Sequence, residues 1–267
     1  MREPVRILSD LHLGHSLSRI RRVDVLRPLL AGAGTVVFNG DTWQEFRGPW
    51  GGRAAAMLAE LRGLCEEEGV DAVFLTGNHD PGWGGPGWLA LAGGRIIVTH
   101  GDCLFTAGSP WKREVVRGGK DVARLWEKHP EAAWRIDARI ALAREIARKF
   151  QSVEYPAGRS LVARAWDAVM PPHRALHMLE SWWLRKQAAG RFLNTYFPDA
   201  EALVFGHFHM HHCWDVGRHL VIDTGSFVSP GKAHWVQWRD GWLECGQVME
   251  FPDAFRMGAS LRTWRFS

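Results

Sequence analysis

No apolar run in this chain approaches the roughly eighteen residues that a bilayer-spanning helix needs, which argues against a helical membrane protein. The opening lacks the charged, apolar and small-residue succession of a secretory signal. Val5-Arg6-Ile7-Leu8 instead reads as a strand with Asp10 just after it, so a cytoplasmic protein is expected. Cysteine is scarce: Cys65, Cys103, Cys213 and Cys245 are scattered without a Cys-x-x-Cys pair. Each reads as a small buried residue in a reducing compartment, and no disulfide pairing is supported. Internal repeats, low-complexity tracts and any motif for a particular nucleic-acid structure are also missing.

What remains is an ordinary globular composition, 46% hydrophobic and 23% charged over 267 residues, enough for one large core with a sizeable insertion. The net charge of +4 is unevenly spread. Between Trp111 and Arg191 there are 17 Lys and Arg against 9 Asp and Glu, so the basic character belongs to one segment and the rest is mildly acidic.

Along the first hundred residues short apolar runs at 5–8, 35–38, 72–75 and 95–99 read as strands. Helical patterns at 17–30 and 53–68 separate them, which argues for βαβ units and a mainly parallel arrangement. From about 107 to 196 the chain becomes Ala-, Arg- and Trp-rich. Ile136, Ile140, Ala143, Ala147 and Phe150 recur at helical spacing, and Pro156 and Pro171-Pro172 divide the stretch into several helices. Strand-like runs resume at 202–205, 212–216, 219–223, 233–239 and 242–248, with Arg239-Asp240-Gly241 as a hairpin turn. The expected organisation is a core of residues 1–106 and 197–267 with a helical insertion, or cap, over 107–196.

Metal-type residues recur just past the strand-like runs: Asp10-Leu11-His12, Gly40-Asp41, Gly77-Asn78-His79-Asp80, His100-Gly101-Asp102 and Gly206-His207-Phe208-His209. In open α/β sheets ligands bind beyond the carboxyl ends of strands, so five such loops can converge. Asp10 and His12, like His207 and His209, are two apart, and in extended chain both members can face one ion. Glycines next to the donors suit a backbone that must turn sharply and come close. Two carboxylates, one amide and four imidazoles are too many for one tetrahedral zinc and suit two ions sharing Asp41. Mixed imidazole, carboxylate and amide donors favour manganese, iron or zinc over magnesium.

In combination these motifs resemble those of the calcineurin-like metallophosphoesterases, over residues 5 to 102 and about 200 to 240. The resemblance implies an α/β fold, a four-layer αββα sandwich of two mixed sheets carrying a helical insertion. It implies that Asp10, His12 and His209 hold one divalent metal and Asn78, His100 and His207 the other, with Asp41 bridging. His79 would contact the phosphate and aid the leaving group, with Asp80 orienting its ring. The implied activity is hydrolysis of a phosphate ester or anhydride by metal-activated hydroxide, two ions about 3.5–4 Å apart making it available at neutral pH.

The insertion between His100 and Gly-His-x-His, with Asp10-Leu11-His12-Leu13 and His100-Gly101-Asp102-x-Leu104, resembles the UDP-2,3-diacylglucosamine hydrolases. That narrower resemblance implies a nucleotide-sugar or lipid-linked pyrophosphatase. Three features depart from it: the insertion is long, Phe105-Thr106-Ala107-Gly108-Ser109 carries no acid, and His79 stands where some of those enzymes carry Arg. A nuclease or phosphodiesterase acting on nucleic acid, and a non-catalytic scaffold on the same fold, are the alternatives. The first predicts strongly salt-dependent DNA binding, the second the loss of ligands, whereas all seven are present here.

Six of the 15 tryptophans (Trp111, Trp126, Trp134, Trp166, Trp182 and Trp183) fall in the basic stretch. They read either as packing against the sheets or as a surface for a lipid-linked substrate and the inner face of a membrane. His15 reads as a site-rim or a loop residue, and His211 and His212 mainly as the approach to the next strand. His173 and His177 have helical i, i+4 spacing without a third ligand, so a polar helix face is expected.

Overall fold

A computed structural model describes residues 1–45, 51–108, 115, 116, 118–150 and 172–266. The elements run β1 (Val5–Leu8), α1 (Arg27–Leu30), β2 (Thr35–Asn39), α2 (Gly51–Glu67), β3 (Asp71–Leu75), β4 (Trp88–Leu91) and β5 (Ile96–Thr99). Among the described residues α3 (Gly119–Lys128), α4 (Ile136–Lys149) and α5 (Pro172–Tyr196) follow. The chain closes with β6 (Ala202–Phe205), β7 (His212–Val216), β8 (His219–Asp223), β9 (His234–Arg239), β10 (Trp242–Glu250) and β11 (Phe255–Arg265).

Two mixed sheets result, ordered β11-β10-β9-β1-β2-β3 and β4-β5-β6-β8-β7. Parallel pairing is confined to β1–β2–β3 and β5–β6–β8, and the flanking strands are antiparallel. Strand alternation decides what each sheet covers. Val5, Ile7 and Val37 meet Ile96, Val98, Val204 and Ile222 between the sheets. Leu8, Val36 and Phe38 point the other way, toward Leu29, Leu30, Met57 and Leu61 of α1 and α2. On the second sheet Ile97, Leu203, Phe205 and Val221 face Ala188, Ala189, Phe192 and Leu193 of α5. The architecture is therefore helices, sheet, sheet, helices, the expected four-layer sandwich. Burial of each such aliphatic or aromatic side chain contributes roughly 1.5–3 kcal/mol.

The helices of the basic stretch are layered on the second sheet. Ile140 of α4 joins the α5 cluster, and Val122 and Leu125 of α3 pack on Leu142 and Ile146 of α4. Asp137 in the first turn of α4 and Arg148 and Lys149 in its last complement the helix dipole. Buried Arg139 ties α4 down, its Nε donating to the Cys103 carbonyl at 2.7 Å and its guanidinium lying 4.4 Å over the Trp126 ring. Trp182 is half-buried against the same cluster, whereas Trp134 and Trp183 are exposed. Trp111, Trp166, Pro156 and the side chain of His173 lie outside the described residues. Among the described residues no helix is long and apolar enough to cross a membrane.

Three expectations need correction. The helix at 17–30 is replaced by irregular chain, a 3-10 turn at Asp24–Leu26 and the single turn of α1. Its backbone groups are satisfied elsewhere, Arg19 N–H donating to Phe227 O and Leu17 O accepting from Ser229 N–H, and the Ser18 side chain donates its hydroxyl to Leu11 O. Two strands went unread. β4 is a four-residue apolar edge strand without alternation, and β11 is largely exposed and paired to β10 through register shifts around Gly246, which blur a two-residue period.

Candidate metal centre

Parallel strands end side by side, and the chain turns sharply at each end. Asp10 and His12 follow β1, Asp41 follows β2, Asn78, His79 and Asp80 follow β3, His100 follows β5, and His207 and His209 follow β6. Seven described residues other than glycine have positive φ, and five of them are candidate ligands: Asp10, His12, Asp41, His207 and His209. Left-handed backbone costs a side-chain-bearing residue roughly 1–3 kcal/mol and persists where the surroundings impose it. The neighbouring glycines allow the loops to touch. A Cβ at Gly206 would fall on the Asp10 carboxylate, one at Gly77 on that of Asp41, and one at Gly40 on the His100 ring.

Each carboxylate is held by one oxygen and presents the other. Asp10 Oδ2 accepts from the His207 N–H at 3.0 Å, while Oδ1 lies 3.2 Å from His209 Nε2 and 3.7 Å from His12 Nε2. Asp41 Oδ1 accepts from the His79 N–H at 2.7 Å, and Oδ2 lies 3.4 Å from His100 Nε2, 3.6 Å from His12 Nε2 and 4.0 Å from His79 Nε2. Three overlapping donor groups result: Asp10, His12 and His209; His12, Asp41 and His79; Asp41, His100 and His207. Asp41 stands where the last two join. Asn78 is buried in the loop after β3, between the Gly77 and His79 amides that bond Asp80 and Asp41.

The rings are aimed by their far nitrogens. His100 Nδ1 donates to the Asn39 carbonyl at 3.0 Å, which leaves Nε2 to face Asp41. Gln44 lies between two rings, its amide 2.9 Å from His12 Nδ1 at one end and 2.9 Å from His79 Nδ1 at the other. Sequence reasoning missed Gln44, since a lone glutamine three residues past Gly-Asp belongs to no donor pattern.

Asp80, expected to orient the His79 ring, has three backbone partners. Its carboxylate accepts from the backbone N–H groups of Asp41, Thr42 and Gly77 at 3.0, 2.7 and 2.8 Å, so it braces two loops, and Gln44 orients the His79 ring. Outside the cluster, His15 lies beside His12 on the rim, His212 opens β7 exposed, and His177 is exposed on α5. His211 belongs to a separate group.

Burial alone would raise the carboxyl groups of Asp10 and Asp41, but the surrounding imidazoles, His100 foremost, hold both well below the usual carboxylate range. Burial likewise disfavours a charged His100, and the fields of Asp41 and Asp10 overcome it and push the imidazole well above its ordinary value. His207, buried beside His100, is pulled down to about 3. Asp80 is pushed up to about 7 by burial and then by Asp41. The pocket thus stabilises positive charge at its centre. Asp10 Oδ1 and His100 Nε2 are fully buried and make no hydrogen bond, as ligand atoms for a cation would. The donor chemistry, imidazole with carboxylate and amide oxygen, fits divalent transition ions.

At the cluster opens a cleft of about 700 Å³, lined by His12, His79 and His209 together with apolar Leu17, Met178, Trp182, Phe208, Met210 and Val228.

No protein-family model matches this sequence, and no curated protein matches it. Solved structures similar to it include a dimetal phosphatase from Danio rerio, at TM-score 0.48 and 12% identity over 99% of this chain and 100% of that one. A Vps29 mutant from Entamoeba histolytica matches at TM-score 0.47 and 13% identity over 97% and 99%. A predicted phosphoesterase from Streptococcus pneumoniae matches at TM-score 0.37 and 17% identity over 97% and 99%.

Proposed function

We propose that this chain is a metal-dependent phosphohydrolase acting on a phosphate ester or anhydride that carries an apolar group. The observation that carries the reading is Asp41, whose single presented oxygen faces imidazoles from both sides of the cluster. Asp10, His12 and His209 would hold one ion, Asn78, His100 and His207 a second, and Asp41 both. Bound there, two divalent ions supply Lewis acidity: they lower the pKa of water and take up charge on phosphoryl oxygens. Manganese, iron and zinc suit the donors.

The chain's own residues do the rest. His100 is kept in the tautomer that frees Nε2 by the Asn39 carbonyl. For His12 to offer Nε2, its proton must sit on Nδ1, and the Gln44 carbonyl must face it, which is a half-turn of the amide. That half-turn presents the Gln44 NH2 to His79 Nδ1, so the His79 proton moves to Nε2, on the Asp41 side of the ring. Gln44 thereby couples filling of the site to arming of His79 as a donor to the leaving oxygen. Asp80 keeps the loops after β2 and β3 in register.

The apolar wall of the cleft supports a substrate with an acyl or aryl part, as in a lipid-linked or nucleotide-sugar diphosphate. Leu176, Leu179 and Trp183 are exposed along α5, at spacings that share a helix face. This supports peripheral contact with an anionic membrane, and failure to bind anionic vesicles at low salt would remove that part of the reading.

The decisive experiment measures metal content and hydrolysis of a generic phosphodiester with added manganese. About two ions per chain at this site and activity lost in Asp41→Asn are expected. A reconstituted protein that binds no metal through these residues and hydrolyses nothing overturns the proposal.

A further inference from the structure

A second cluster lies apart from this site and draws on the two sheets at once. Cys213 sits in β7, the edge strand of the five-stranded sheet, and Cys245 in β10 of the six-stranded sheet. Both point into the core between the sheets. Their sulfurs are 3.8 Å apart, and His211 Nε2 lies 3.9 Å from each. Three donors thus form a nearly equilateral triangle. Tetrahedral zinc, with bonds of about 2.3 Å to sulfur and about 2.0–2.1 Å to nitrogen, sets its donors roughly 3.5–3.8 Å apart. The triangle needs to close by only a few tenths of an ångström.

The histidine is already committed to the ligand tautomer. Its Nδ1 donates to the Asp223 carbonyl at 2.7 Å, which leaves the Nε2 lone pair directed at the two sulfurs. The His234 ring stacks on it at 3.5 Å and 11°, fixing its plane. Cys245 is 0% and Cys213 8% exposed, and His211 is half-buried on the open side of the triangle.

We propose that His211, Cys213 and Cys245 form a binding site for one zinc ion that pins β7 of one sheet to β10 of the other. Three protein donors leave the fourth corner to a water. The cation displaces the thiol protons to solvent, and no electron is transferred. Sulfur donors separate this site chemically from the nitrogen and oxygen cluster around Asp41, so the two fill independently.

Cobalt reads the difference, because only thiolate ligands give cobalt(II) an intense sulfur-to-metal charge-transfer absorption. Metal-stripped, reduced full-length protein is titrated with cobalt(II) and then with zinc. The expected result is a charge-transfer band that survives Asp41→Asn, is lost or at least halved in Cys213→Ser, and is bleached by added zinc. Absence of the band in the native sequence, or a band indifferent to Cys213→Ser, overturns the proposal. Oxidative coupling of Cys213 to Cys245, whose sulfurs already adjoin, needs no variant: zinc should suppress it. A Cys213–Cys245 disulfide that forms as readily with zinc present counts against the site.

Discussion

The two donor clusters of this molecule are built in opposite ways. Around Asp41 the donors sit on loops past the strand ends, in backbone that only close packing sustains, with five side chains at positive φ. Around Cys245 two of the donors sit on regular strands of opposite sheets, and only His211 lies just outside one. The first arrangement gathers many donors at an open cleft and stores strain in doing so. The second gathers three donors in a core and stores none. Under the two proposals, the site that would admit substrate is paid for by its backbone, whereas the site that would only hold an ion rests on the scaffold itself.

The contrast is testable by breaking one cluster and watching the other. Asp41→Asn should have the largest effect: hydrolysis in manganese-supplemented assays is abolished, while the cobalt–thiolate band is intact. Loss of both together would mean that the clusters are one cooperative unit. His79→Ala should lower turnover by about 10²–10⁴-fold with metal content near normal. A metal-free His79→Ala protein would move His79 from donor to ligand. Gln44→Leu leaves every ligand in place but removes the amide between His12 and His79, so metal affinity or turnover should fall by about 10–100-fold. Turnover unchanged in that variant would make Gln44 a bystander. Trp182→Ala should show the smallest effect, since it trims one wall of the cleft. Removing roughly 1–1.5 kcal/mol of apolar contact raises KM about tenfold for substrates with a long acyl group and leaves short phosphodiesters unaffected.

Legibility in the sequence follows the same divide. The donors around Asp41 come in tight motifs, each beside a strand-like run, so their convergence could be anticipated from chain order alone. The structure brings together Asp10, His12, Asp41, His79, His100, His207 and His209. Gln44 could not be read, because its meaning depends on two rings that meet only in three dimensions. The cysteine cluster was illegible for a related reason: Cys213 and Cys245 lie on different sheets, and neither stands at a motif spacing. Helix pattern at 17–30 misled because periodicity cannot see that Ser18 and Arg19 spend their hydrogen bonds on Leu11 and Phe227.

Asp10 and Asp41 each have one oxygen already engaged by a backbone N–H, from His207 and His79 respectively. Each therefore turns its other oxygen toward the imidazoles. Calcium seeks six to eight oxygens at about 2.3–2.6 Å. Two presented carboxylate oxygens among imidazoles would give it little to hold, so a pair of amide hydrogens would help turn a common cellular cation away.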